Sequence, residues 1–425
     1  MRRGVRLWSV SSRVEEAPAP AGPGNRRKAP QMSSSVILGT ARTPVGKMGG
    51  ALASLEAPEL GGIAIEAALE RSGVGAEQVQ QVIFGQVLQA GQGQIPSRQA
   101  QIKGGIPKEV PSETVNKVCA SGMRTLGLAD QAIRVGDLDI AVTGGMESMS
   151  KAPYLLPNAR FGFRMGDVQA LDAMTHDGLT NAFTGKQMIN EASEVSNEME
   201  ITRADMDKFA VRSQTLAGEA TESGRIADEI VPVTIKGRKG DTTVEVDEAP
   251  RPGTTLEALA GLKAIGGEGA THTAGNAPGV NDGAGAIVVA SEEWAEKEGR
   301  KPLAKIVSYA MVADDFAYLA RTPGNAALKA LAAIGKTPDD VDLWEINEAF
   351  ASVAIGSMRI LGIDETNVNV NGGAIAYGHP IGASGARIIG ALVHELGRRG
   401  GGLGVAAICS GGGQGDAIVL EVAAA

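Results

Sequence analysis

From Val36 onward the chain alternates short apolar runs with amphipathic stretches of helical period, which predicts a layered α/β architecture. Residues 36–39 read as a strand. Residues 59–72 read as a helix with Leu60, Ile63, Ala64 and Ala67 on one face and Gly73 as its stop. The run 79–88, a helix opened by Ser97, a strand at 114–118, a helix at 120–134 closed by Gly136 and a strand at 138–143 complete a βαβαβαβ order. A second round follows. It has a strand at 303–312, a helix at 323–334 with Pro323 at the favoured first position, a strand at 341–346, a helix at 348–361 and a strand at 366–370, then a helix at 382–398 and strands at 403–409 and 416–422.

The two rounds predict a duplication. A short echo supports it, because ASGMR (120–124) and ASGAR (383–387) open the third helix of each round. Between them, residues 151–280 break the rhythm with an irregular stretch to Asp177, a helix at 203–223, a polar hairpin at 230–246 and a glycine-rich return. We read this as an insertion. Residues 284–290 then supply the last strand of the first half, so the halves are 32–150 with 281–302, and 303–425.

Composition narrows the class. A chain of 425 residues with 58 glycines, 21% charged and 3% aromatic residues fits an α/β protein with many tight strand-to-helix turns. The net charge of −9 argues against a nucleic-acid binder, and the absence of a run of 18 apolar residues argues against a membrane span. Residues 1–31 differ: Arg2, Arg3, Arg6, Arg13, Arg26, Arg27 and Lys28 stand against only Glu15 and Glu16, among Pro18, Pro20, Pro23 and Pro30. That composition predicts a disordered extension with some transit-peptide character but no apolar core, or a translation start assigned ahead of Met32.

Two cysteines occur, Cys119 and Cys409. A free cysteine is ordinarily small apolar filler, and two in a long acidic chain without a secretory signal suggest reduced thiols and a cytoplasmic location. Context favours chemistry. Cys119 lies where an apolar strand meets a helix N-terminus, whose free N–H groups favour a thiolate. Cys409 ends a strand and opens SGGGQG (410–415), whose amides could serve an oxyanion. His379, held between Gly378 and Pro380, adds an imidazole, and Asn347 at a strand-to-helix transition is ordinarily an N-cap. Two thiols and an imidazole suffice for thioester chemistry. No role is assigned to His176, His272 or His394, and no metal site is expected.

At this point a family resemblance emerges. NKVCASG (116–122), NEAFA (347–351), NVNGGAIAYGHPIGASGAR (369–387) and CSGGGQG (409–415) resemble the signature blocks of the thiolases, specifically of acetyl-CoA C-acetyltransferases. ARTPVGK (41–47), GGMESM (144–149), DGLT (177–180), AGNA (274–277) and NDGA (281–284) extend the resemblance over everything after about residue 35. It implies a five-layered α/β/α/β/α core of two duplicated halves, with 151–280 as an inserted loop domain that binds coenzyme A.

The resemblance also implies residue roles. Cys119 matches the acylated nucleophile, His379 its base and Cys409 the acid/base at the substrate α-carbon. Asn347 matches the holder of a water that forms one oxyanion hole with His379; the N–H groups of Cys119 and Gly411 match a second. Coenzyme contacts would fall on Arg251, Gln187, Met188, Ala274, Pro278 and Phe350. The chain departs from the pattern where Lys186, Gln187 and Met188 replace a Tyr-His-Met segment, and where Pro278 replaces a serine. The implied reaction joins two acetyl-CoA to acetoacetyl-CoA and CoA, with no permanently bound cofactor, in a homodimer or homotetramer. A 3-ketoacyl-CoA thiolase of broader chain length is the alternative. A non-catalytic lipid carrier of this fold should have lost Cys119, His379 or Cys409.

Overall fold

The computed structural model describes residues 33–267 and 269–424; the extension 1–31 lies outside them. Nine strands form one continuous path. They are β1 (Ser35–Arg42), β2 (Gln81–Gly85), β3 (Ser112–Val115), β4 (Ile140–Ser148), β5 (Asn281–Ser291), β6 (Ala304–Ala313), β7 (Leu343–Ile346), β8 (Gly402–Ser410) and β9 (Gln414–Val422). Their order is β7-β8-β9-β6-β1-β5-β4-β2-β3, and the halves join where Ser35, Val36 and Ile37 pair antiparallel with Ile306, Lys305 and Ala304.

The topology shows the duplication directly. Outward from the join, the first half runs first, fifth, fourth, second and third strand, with antiparallel, antiparallel, parallel and parallel pairings. The second half repeats that order and those directions from β6 through β9, β8 and β7 to a single parallel bridge between Trp344 and Val368.

The bridge replaces the strand expected at 366–370. Asn369 takes a left-handed φ of 46°, which ends the extended run, and its side chain substitutes for the ladder. Its Oδ1 accepts from the Ile346 N–H at 2.8 Å and its Nδ2 donates to the Ile346 carbonyl at 2.8 Å. The strand expected at 114–118 is likewise shorter and ends at Val115, since Val118 turns left-handed at φ 43°.

Helices α1 (Ala57–Ser72) and α2 (Pro96–Lys103) cover one face of the first half, meeting Val36, Leu38, Val82, Phe84, Ile140 and Val142. The alternate strand residues Ile37, Ile83 and Ala141 face a second cluster with α3 (Ser121–Val135). The helices α4 (Met188–Glu198) and α5 (Arg203–Glu222) belong to the segment between β4 and β5. In the second half, α6 (Thr322–Ala332) and α7 (Ala351–Leu361) cover Val405, Ala407, Ala417 and Val419. Residues Ala406, Ile408, Ile418 and Leu420 point instead at α8 (Ser384–Arg398), packed in the same cluster as α3. Period-two alternation thus divides each half between an outer and a central helix layer, giving five layers.

The central crossing positions the site. A Cβ on Gly122 would lie 2.9 Å from the Gly382 carbonyl, and one on Gly385 only 2.3 Å from the Met123 nitrogen. Only glycine allows this approach; an added methyl would force a shift that in a packed core costs about 1–3 kcal/mol. The paired ASG segments therefore bring together the starts of α3 and α8, and with them the turns carrying Cys119 and His379. No helix among the described residues is long and apolar enough to cross a membrane.

Candidate active site

Cys119 is placed by a tight turn between β3 and α3. Lys117 N–H donates to Ser121 Oγ at 2.8 Å, Ser121 Oγ donates to the Val118 carbonyl at 2.6 Å, and Val118 N–H donates to Asn116 Oδ1 at 3.0 Å. Left-handed φ at a β-branched residue is rare and persists where surrounding contacts over-determine it. Cys409 comes from the end of β8 in the other half, and both thiols are free and buried.

His379 precedes α8 and is fixed at both ends. Its N–H donates to Asn281 Oδ1 at 2.9 Å, while Asn281 Nδ2 donates to the Gly46 carbonyl at 2.9 Å. Its Nδ1 lies 2.6 Å from Ser384 Oγ, and that hydroxyl donates its single proton to the Pro380 carbonyl at 3.0 Å. We assign the tautomer that satisfies both contacts, with the hydrogen on Nδ1 and the lone pair on Nε2. Nε2 is buried without a hydrogen-bond partner among the described residues, as are both polar atoms of the Asn347 side chain. Asn347 does not cap the following helix: α7 begins at Ala351 behind Phe350, not at 348, because residues 347–350 form a bend closed by Ala349 N–H on the Asn347 carbonyl.

One cavity of about 300 Å³ receives Cys119, Cys409 and His379 together. Gln187 and Met188 at the start of α4, Ala274 and Pro278 from the glycine-rich return, and Phe350 before α7 also line it. Most of the remaining lining is aliphatic, including Leu179, Ile189, Ile265 and Leu319. Phe350 stands edge-on to the buried His272 ring at 5.3 Å. Gly411 borders an adjoining hollow, and its N–H lies close enough to Cys119 to favour the thiolate. Arg251 is exposed and does not line the cavity; its N–H donates to Gln214 Oε1 at 2.6 Å.

The expected thiolate bias of Cys119 is reversed. Burial pushes its thiol up to about 12, overriding the N–H groups of Cys119 and Gly411, which favour the thiolate. Burial also drives the Cys409 thiol well above its ordinary value, helped by the proximity of Cys119. His379 is lowered to about 3, by burial first and by the Arg387 charge second. At neutral pH the resting set is two thiols and one neutral imidazole.

Glu147 escaped the sequence reading. Its carboxylate accepts the N–H groups of Val87 at 3.1 Å, Leu88 at 3.1 Å and Gly382 at 3.0 Å, tying the loop after β2 to the His379 loop. Burial raises its carboxyl to about 7. The available signal was the one charged residue inside a buried, glycine-bearing strand. Ser384 and Asn281 escaped as well, because only the folded chain brings them to His379.

Comparison with known proteins gives the family. Models of the thiolase N-terminal domain and the thiolase C-terminal domain match residues 35–293 and 300–422. An acetyl-CoA acetyltransferase of Syntrophomonas wolfei subsp. wolfei is 50% identical over 392 residues, 91% of this chain and 98% of that protein. One of Cupriavidus necator is 50% identical over 391 residues, 92% of this chain and 100% of that protein. The solved structure of an acetyl-CoA acetyltransferase from Syntrophomonas wolfei superposes with a TM-score of 0.90 at 40% identity, over 92% of this chain and 100% of that one. With both family models together spanning nearly the whole described chain, and its catalytic-type residues gathered at the crossing of its two halves, the protein belongs to the thiolase family.

Proposed function

We propose that this chain is an acetyl-CoA C-acetyltransferase, joining two acetyl-CoA to acetoacetyl-CoA and CoA through an acetyl-Cys119 intermediate, and running the reverse thiolysis at the same site. One observation carries the reading: two thiols and an imidazole with a free Nε2 line a single, largely aliphatic cavity. The relatives named for this activity support it.

The resting protonation states set the proton path. His379 Nε2 takes the Cys119 proton as the sulfur attacks the acetyl carbonyl. The leaving CoA sulfur takes the proton of Cys409 and departs as the thiol, leaving a Cys409 thiolate and a His379 imidazolium. A second acetyl-CoA places its carbonyl oxygen at the His379 Nε2–H and a water held by Asn347. Cys409 removes the α-proton, and the enolate attacks acetyl-Cys119, whose oxygen sits at the N–H groups of Cys119 and Gly411. Carbon–carbon bond formation expels the Cys119 thiolate, which takes the His379 proton. Both thiols and the neutral imidazole are restored.

In this reading residues 32–150 with 281–302, and 303–425, are the catalytic halves, and 151–280 is the loop domain that holds coenzyme A along Gln187, Met188, Ala274, Pro278 and Phe350, with Arg251 toward the adenine end. The enzyme acts in the cytoplasm as a homodimer or homotetramer. Rates with acetoacetyl-CoA against a 3-ketoacyl-CoA of about eight carbons or more test the substrate class. The expected result is a preference of at least about tenfold for acetoacetyl-CoA, the discrimination that pocket fit supplies; equal rates would favour the broader 3-ketoacyl-CoA thiolase.

Ser384→Ala is expected to lower kcat for thiolysis about tenfold, equivalent to about 1.4 kcal/mol in the barrier, because it frees the His379 tautomer that Ser384 fixes. KM for CoA should stay within about threefold, since no substrate contact is removed. Steady-state kinetics checks both numbers.

A further inference from the structure

The N–H groups of Cys119 and Gly411 lie on turns from opposite halves of the fold, so chain continuity does not set their separation. Three contacts bridge the turns. The Lys117 ammonium pairs with Oδ1 of Asp416, a fully buried carboxylate on β9 whose Oδ2 accepts from the Tyr309 hydroxyl on β6. Ser410 Oγ donates to the Lys117 carbonyl. The Val118 side chain rests on Gly411, where an added Cβ would meet both valine methyls at 3.3 Å.

These contacts converge on the residues flanking the left-handed Val118. A conformation this sparsely populated holds only where the surroundings over-determine it. Lys117 and Asp416 are the charged members of the set, and a charge pair with a buried carboxylate resists rearrangement because separating it strands that charge. Lys117 lines none of the cavity described above and has no place in the proton path.

We propose that Lys117, acting through Asp416, is a positioning residue that fixes the gap between the Cys119 and Gly411 N–H groups and so sets the rate at which Cys119 is acylated. The inference rests on the reading of Cys119 as the acylated nucleophile. An N–H pair stabilises the developing oxyanion only when both donors lie within hydrogen-bond distance of one oxygen, so a small widening of the gap forfeits much of the benefit.

The test compares two reactions at the same sulfur in the full chain. Acetylation from acetyl-CoA develops an oxyanion; alkylation by iodoacetamide does not. In Lys117→Met, single-turnover formation of acetyl-Cys119, read by mass spectrometry, is expected to fall about 10²-fold, the usual loss of one oxyanion donor. Alkylation should fall by less than about threefold, because it develops no oxyanion and because burial, not the Gly411 N–H, is the largest influence on the Cys119 thiol. The double variant Lys117→Met with Asp416→Asn removes the stranded charge; it should regain any melting temperature lost by the single variant, yet acetylate as slowly. It carries the test alone if Lys117→Met does not fold. A parallel fall of acetylation and alkylation, unchanged acetylation, or restored acetylation in the double variant overturns the proposal. If the unmodified protein forms no acetyl-Cys119, the acyl-transfer reading itself fails, whatever Lys117 does.

Discussion

Cys119→Ala is expected to abolish both labelled-CoA exchange into acetyl-CoA and acetoacetyl-CoA formation, lowering each about 10⁵–10⁶-fold, the scale on which loss of a covalent nucleophile is felt. His379 cannot replace the lost sulfur. With its Nδ1 hydrogen held by Ser384, its one free nitrogen is the base, and that base then has no thiol to deprotonate. The fold should be nearly unaffected, since removing one buried sulfur costs on the order of 1 kcal/mol. CoA binding should also persist, because the remaining lining of the cavity stays in place.

Alkylation gives an independent view of the same residue. Cys119 is 4% exposed and Cys409 0%, so iodoacetamide should label Cys119 first, and slowly, as expected of a thiol pushed up to about 12. Prior incubation with acetyl-CoA should protect it. Preferential labelling of Cys409 would reverse the two roles.

The contrast between what the chain announces and what it conceals follows from the physics of each feature. Strand and helix positions in both halves were legible because each strand has one face toward outer helices and one toward α3 or α8, so apolar residues recur at regular spacing. The ASG echo was legible as a repeat, but its cause, two helix starts in glycine contact, is a property of the crossing and of neither helix alone. Helix α4 was missed because half of its buried residues, Glu191, Ser193 and Ser196, are polar. Ser193 bonds His272, Ser196 bonds Thr271 and Glu191 takes the Asn181 amide, so these hydrogen-bonded residues interrupt the short apolar stripe of Met188, Ala192 and Val195.

The site divides in the same way. Cys119, His379 and Cys409 stood out because reactive residue types fall in glycine-marked turns. Their supports did not: Ser384 is five residues from His379, whereas Asn281 and Glu147 reach its loop from 98 and 235 residues away. The protonation states were also hidden. A helix N-terminus predicts a thiolate at Cys119, but burial outweighs that dipole, and only the folded chain reveals the burial. The consequence is mechanistic: a buried thiol and a neutral imidazole must exchange a proton during acylation, where an exposed thiolate would need no base.

Cys409→Ala is expected to separate the two halves of the reaction. Acetyl exchange needs Cys119 as nucleophile, His379 as base and the N–H pair at Cys119 and Gly411; carbon–carbon bond formation needs in addition a group that takes the α-proton. Cys409 is the remaining titratable side chain in the cavity lining after Cys119 and His379. The imidazole cannot serve both needs: an Nε2 that keeps its proton can face the enolate oxygen but cannot take the α-proton, and an Nε2 that has returned its proton to CoA has no hydrogen to offer that oxygen. In the variant, exchange of labelled CoA should fall by no more than about tenfold, because His379 can return its proton to the leaving sulfur in place of Cys409. Acetoacetyl-CoA formation and thiolysis should fall by roughly 10²–10⁴-fold, the usual worth of a general acid/base. Acetyl-Cys119 should then accumulate to a level visible by mass spectrometry, because it forms but is not consumed by condensation. Loss of exchange as complete as loss of condensation, or retention of both, would show that Cys409 does not handle the α-carbon proton.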